Sequence, residues 1–138
     1  MLENSKINIK IKLSALWTAV TFCYLYGDYF ELYTPDKVEG LISGKNGLES
    51  PMILFIASVI MAIPPLMVFL SLVLKPIISK WLNIIFGFLF TAMMVLIASF
   101  SLTPWYTFYV FLAIVEATLT FMVVWNAWKW PKETADLN

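Results

Sequence analysis

The sequence contains no histidine, no arginine and a single cysteine, Cys23. Without histidine it lacks the side chain that most readily moves protons near neutrality and most often holds metal ions. Without arginine it lacks the planar fork that clamps phosphates and carboxylates in a bidentate grip. One thiol excludes an intrachain disulfide and a thiolate metal cluster. Charge is scarce as well: 13% of the 138 residues are charged, and nine lysines balance nine acids. A soluble domain carries about 25% charged residues, and a nucleic-acid footprint needs an excess of positive charge. No cofactor, no metal and no nucleic-acid partner is therefore expected.

What the chain has in plenty is apolar: 61% of it is hydrophobic and 17% aromatic. A water-soluble fold of this length could not hide so much apolar surface. A transmembrane helix takes about 20 mostly apolar residues, and four stretches qualify: residues 13–33, 51–74, 81–102 and 104–128. They predict an all-α fold, an integral membrane antiparallel four-helix bundle in the lipid bilayer. It forms a single transmembrane domain over residues 1–138, with residues 34–50 as the outer loop. Short connections favour sequential helices as neighbours. Ser50-Pro51 and Thr103-Pro104 each place a capping hydroxyl before a proline suited to the first helical position. Lys75-Pro76 ends the second span, and Trp130-Pro131 follows the fourth. The apolar run after Lys6, Lys10 and Lys12 lacks a small-x-small cleavage site, so it reads as a retained span. Within the outer loop, Val38, Leu41 and Ile42 share a face between Pro35 and Gly44. That segment is either a short surface helix or an irregular polar loop.

Lysine placement orients the bundle. Lys6, Lys10, Lys12, Lys75, Lys80, Lys129 and Lys132 fall on one side. Lys37 and Lys45 fall on the other, offset by Asp36, Glu39 and Glu49. The positive-inside rule then places both termini in the cytoplasm.

Polar residues in lipid-buried helices face the bundle interior. Ser14, Trp17, Thr21, Tyr24, Asp28 and Glu31 make one stripe of the first span, and Asn83, Gly87, Thr91, Met94 and Ala98 one of the third. Trp105, Tyr109, Glu116 and Thr120 align in the fourth; the second offers Ser58 and Ala62 beside Pro64-Pro65. At about 1.5 Å of rise per residue, Glu116 falls near mid-bilayer, level with Thr21, Tyr24, Pro64, Pro65 and Thr91. Asp28, Tyr109 and Ser58 form a second layer nearer the outside, so the polar content gathers in the outer half. Charge at mid-bilayer costs roughly 2.5–3.5 kcal/mol on insertion scales, and no lysine lies within a span to offset it. Glu116 is thus either a neutral acid tying helices together or, with Asp28, a proton or cation site. Thr21, Tyr24, Ser58, Pro64, Pro65, Thr91 and Tyr109 are the candidate cavity lining. The double proline frees carbonyls near Ile60 and Met61, which makes it a kink or a cavity wall.

The stretches Lys12–Trp17, Tyr24–Asp28, Ala62–Leu70, Trp81–Asn83, Val115-Glu116 and Trp128–Pro131 resemble a family of small bacterial integral membrane proteins. That family has four predicted spans and is catalogued as a domain of unknown function. The resemblance implies a multi-pass protein of the bacterial inner membrane and supplies no activity. A looser architectural likeness links the chain to small multidrug-resistance transporters, which use one membrane glutamate. Here the glutamate sits in the fourth span rather than the first, and their motifs are absent. Three functions stay open: a proton- or cation-coupled transporter or pore, working as a homo-oligomer; an accessory subunit of a larger membrane protein; or a membrane enzyme acting on a lipid or quinone. The last lacks an acid–base constellation beyond two separated acids.

Overall fold

The computed structural model describes residues 1–132, and over them the chain is helical with no strand. The first helix, α1 (Ile9–Glu31), starts where the Asn8 side chain accepts the Lys10 N–H at 2.9 Å. A short helix, α2 (Lys37–Ser43), lies in the loop and ends on Gly44, whose φ of 75° is the left-handed turn that closes a helix. The long α3 (Pro51–Val73) has Pro51 in its first turn and Ser50 as its cap, with Oγ accepting the Ile53 N–H at 3.2 Å. Next comes α4 (Pro76–Phe100), which begins at Pro76 rather than Trp81. A proline that stops one helix is equally suited to open the next, since its missing N–H goes unused there. One 3₁₀ turn, Pro104–Tyr106, leads into α5 (Thr107–Trp128).

Three segments are long and apolar enough to cross a membrane: α3, α4, and Pro104–Trp128. The sequence reading had four. The remaining long helix, α1, carries Lys10, Lys12, Asp28 and Glu31 toward its two ends, which lowers its mean hydropathy.

Packing departs from simple sequential neighbours. α1 lies against α3 and α5, α4 packs chiefly on α5, and α3 and α4 meet little despite their short connection. The cause is the face that α4 turns to α5. A Cβ at Gly87 would stand 2.8 Å from Val124 Cγ2 and 3.2 Å from the Thr120 carbonyl oxygen. The two helices approach closely because that atom is missing. The Thr91 and Thr120 hydroxyls meet across the same seam at 2.7 Å.

Two polar joints fasten the lysine-bearing end. The Lys10 ammonium donates to the Leu74 carbonyl at 2.8 Å, neutralising the exposed carbonyl end of α3. The Trp17 indole donates to Asn83 Oδ1 at 2.7 Å; Asn83 Nδ2 donates to the Ser79 carbonyl at 2.8 Å and lies 3.2 Å from Ser71 Oγ. All four side chains are fully buried. Buried polarity therefore reaches the lysine-bearing half, which corrects the outer-half expectation. At the opposite end Glu31 pairs with Lys37 at 2.8 Å and accepts the Tyr106 hydroxyl at 3.3 Å. The hydrogen bond to Glu31 holds the Lys37 ammonium above the usual lysine range. Its stabilisation is complete below the ordinary lysine pKa and is lost only as pH rises through the raised value. The contribution is therefore constant near neutrality.

The two helical glycines facing α5 should respond oppositely to alanine. At Gly27 a Cβ would sit 3.7 Å from Leu112 Cδ1 and 3.8 Å from Tyr109 Cε2, ordinary contact distances. Gly27→Ala should therefore hold or raise Tm, since alanine favours the helix by up to about 1 kcal/mol. Gly87→Ala should lower Tm, because overpacking costs about 1–3 kcal/mol. Thermal unfolding of both variants in one detergent checks this; equal shifts would overturn the close-approach account of the α4–α5 seam.

Candidate functional site

Where α1 crosses α5, Tyr24, Gly27 and Asp28 face Tyr109, Leu112 and Glu116 around a crevice of about 10 Å³. That is room for about one water molecule. The spacing explains the convergence: Tyr24 and Asp28 are one turn apart on α1, and Tyr109, Leu112 and Glu116 recur at three and four on α5. Glu116 is 4% exposed and Tyr24 7%. Among the described residues, no cation and no hydrogen-bond donor reaches the carboxyl of Glu116 or of Asp28; the one ion pair is Lys37–Glu31. The Tyr24 hydroxyl is buried without a partner.

A second, larger hollow of about 240 Å³ lies between α1 and α3, lined by Thr21, Tyr24, Leu25, Asp28, Met61, Pro64 and Pro65. Tyr24 and Asp28 border both spaces. Asp28 is the more open of the two acids, so it stands between the buried carboxyl and the wider hollow. Pro64 is fully buried and Pro65 faces outward, and together they form part of the hollow's wall within an uninterrupted helix.

The two depth layers expected from sequence merge, because side chains reach along the helix axis and Asp28 and Tyr109 meet the Glu116 level. Two candidate lining residues stand elsewhere. Ser58 is exposed on the outer face of α3, its hydroxyl donating to the Leu54 carbonyl one turn back at 2.8 Å. Thr91 belongs to the α4–α5 seam: its hydroxyl donates to the Gly87 carbonyl at 2.7 Å. Thr120 is its partner across the seam, with Oγ1 2.9 Å from the Glu116 carbonyl oxygen, so this chain touches Glu116 at its backbone and not at its acid. Thr21 borders the hollow, but its hydroxyl proton goes to the Trp17 carbonyl at 2.8 Å.

Phe90 escaped the sequence reading. It is fully buried, with its ring centroid 6.0 Å from that of Trp17 and 5.8 Å from that of Tyr24. It fills the space between the Glu116 level and the Asn83 joint. The signal was present in the α4 pattern, where Phe90 follows Asn83 and Gly87 on the same helical face. A search for polar and small residues passes over it.

The model of the "Family of unknown function (DUF6326)" matches residues 3–136. The chain belongs to DUF6326. Membership covers nearly the whole sequence and bears out the resemblance drawn from the span motifs; the family's printed description carries no activity. No curated protein and no solved structure matches this DUF6326 chain.

The unpartnered Tyr24 hydroxyl generates a prediction. A buried hydroxyl without a hydrogen bond is a cost to the folded state. Tyr24→Phe should therefore leave Tm unchanged or raise it, whereas Tyr24→Ala should lower it through the lost contact with Phe90. A clear drop in Tm for Tyr24→Phe, measured by thermal unfolding, would mean that the hydroxyl is satisfied in the membrane, most simply by a water in the crevice.

Proposed function

We propose that this DUF6326 protein is a four-span protein of the bacterial inner membrane that exchanges a proton, or takes up a small cation, at Glu116. The observation that carries the reading is the Glu116 carboxyl, buried between α1 and α5 with neither donor nor cation at hand among the described residues. A charged acid at that depth is expensive, and a proton or a bare cation removes the cost. The adjoining crevice, at about 10 Å³, admits nothing larger than water or a small ion. Asp28, bordering both spaces, is the natural step between Glu116 and the Lys37 end. We take α1 as the fourth span because it runs beside α3 and α5, tied to Leu74 at one end and to Tyr106 at the other. The lysine asymmetry supports cytoplasmic termini. A second reading, an accessory subunit or a homo-oligomer, draws support from α3, since only 11% of its most apolar stretch is buried within the protein. That face is free for another membrane helix as well as for lipid.

The test of the proton site uses Glu116→Gln, which keeps the size of the side chain but cannot ionise. In proteoliposomes the variant should fold normally and lose most of the pH-gradient-driven proton flux, with Asp28→Asn losing less. An infrared titration of the carboxyl provides the second measurement. Wild-type flux in Glu116→Gln, or a Glu116 band unchanged between about pH 5 and 9, would move the assignment to the accessory reading.

Orientation has its own test. Ser43 and Ser5 are both exposed and lie at opposite ends. In a Cys23→Ala background, Ser43→Cys should react with an impermeant maleimide on intact cells, and Ser5→Cys only after permeabilisation. The reverse pattern would overturn the topology.

A further inference from the structure

A pocket of about 400 Å³ opens at the lysine-bearing end, between the segment preceding α1 and the last turn of α5. Lys6 and Lys12 approach it from the amino-terminal side; Trp125, Asn126 and Lys129 from α5. Among the described residues, none of those lining it is acidic. The Lys129 ammonium lies 4.0 Å from the centroid of the Trp125 ring, a cation–π contact that holds it at the pocket rather than free in solvent. The Asn126 amide donates to the Met122 carbonyl at 2.7 Å and has a second N–H to offer. Ile7, Ile9 and Pro131 add an apolar rim. Two other lysines of this end are engaged elsewhere: Lys10 caps α3, and Lys80 lies over Trp128 at 6.0 Å.

We propose that this pocket binds the phosphate head group of an anionic phospholipid. Three lysines, with no acid lining the pocket among the described residues, select a phosphate-bearing anion, and each lysine close to an anionic membrane surface adds to the attraction. The apolar rim and the Trp125 ring favour a lipid over a free anion, because a glycerol backbone and the upper acyl chains can cover them and inorganic phosphate cannot. The pocket also lies at the end of a membrane-crossing segment, the level at which phosphates lie and indole rings settle. The inference rests on the membrane reading of the chain and is independent of proton exchange at Glu116.

The experiment compares lipids with identical acyl chains. The protein is purified in micelles doped equally with phosphatidylglycerol and phosphatidylcholine, and the retained lipid is counted by native mass spectrometry. Phosphatidylglycerol should be retained about tenfold or more over phosphatidylcholine. Lys6→Gln, Lys12→Gln and Lys129→Gln combined should abolish that preference, and the three Arg replacements should keep it, which separates charge from misfolding. Lys75→Gln with Lys80→Gln, outside the pocket, should keep it too, as should Glu116→Gln, so failure here and failure of the proton reading are distinguishable. Equal retention of the two lipids, an unchanged preference in the triple Gln variant, or an equal loss in the Lys75 and Lys80 control would overturn the proposal. Displacement of phosphatidylglycerol by inorganic phosphate at matched concentration would assign the pocket to a free anion and overturn it as well.

Discussion

Asn83 stands where α1, α3 and α4 meet, and the register of the bundle hangs on its amide. The side chain accepts from Trp17 on α1, donates within α4 to Ser79, and lies beside Ser71 on α3. A buried polar group left without a partner costs about 1–3 kcal/mol, and hydrocarbon offers no water to replace one. Sliding α1 by a turn would break the indole bond, leaving the Trp17 N–H unpaired and the Asn83 amide oxygen with only the longer 3.3 Å contact to the Ser71 hydroxyl. With Trp17 fixed, Tyr24 comes two turns on to meet Phe90, and Asp28 one turn further to border the Glu116 crevice. The surroundings of the acid are thus set by a hydrogen bond several turns away.

The α4–α5 seam is the complementary constraint. Gly87 lets the helices close on Thr120, Val123 and Val124, and the paired threonines consume their hydroxyls there. The face of α5 that carries Glu116 is therefore left for α1, which brings Tyr24, Gly27 and Asp28 and, among the described residues, no donor within hydrogen-bond reach of the carboxyl. α3 completes the enclosure only in part: it meets α1 along the double proline and touches α4 only near their connection, at Ser71.

Much of this was legible in the residues. Ser50-Pro51 marked where α3 begins and Thr103-Pro104 where the turn into α5 begins, whereas Pro76, read as a stop, opens α4; stripes at helical spacing brought Tyr24, Asp28, Tyr109 and Glu116 together. Neighbour order was not legible, because it depends on which helix Gly87 faces, and a lone glycine has the same spelling whichever partner it admits. Ser58 shows the limit of reading polarity as inwardness: a serine that bonds its own preceding turn is satisfied while facing out. Asn83 and Trp17 were each visible as members of a stripe, but their pairing needs the relative height of two helices to within one hydrogen bond. Hydroxyl-bearing and aromatic residues along α1, together with the charges near its ends, hold its mean hydropathy below that of the three segments marked as membrane-crossing.

Lys10 has one further consequence. Its ammonium is held by the Leu74 and Leu72 carbonyls at 2.8 and 3.4 Å, yet those acceptors are made more than sixty residues later in the chain. Synthesis proceeds from the amino terminus, so while α1 is emerging the charge has no such partner; in the proposed topology, with cytoplasmic termini, it is then free to hold the terminus back from crossing. Once α3 returns, the same charge closes the frayed end of that helix. In that proposed topology one side chain serves first as a signal read during insertion, and in the finished bundle it is a clasp on α3. On the proposed topology a change at Lys10 touches both stages together, whereas Lys6 and Lys75 bear on insertion without clasping α3.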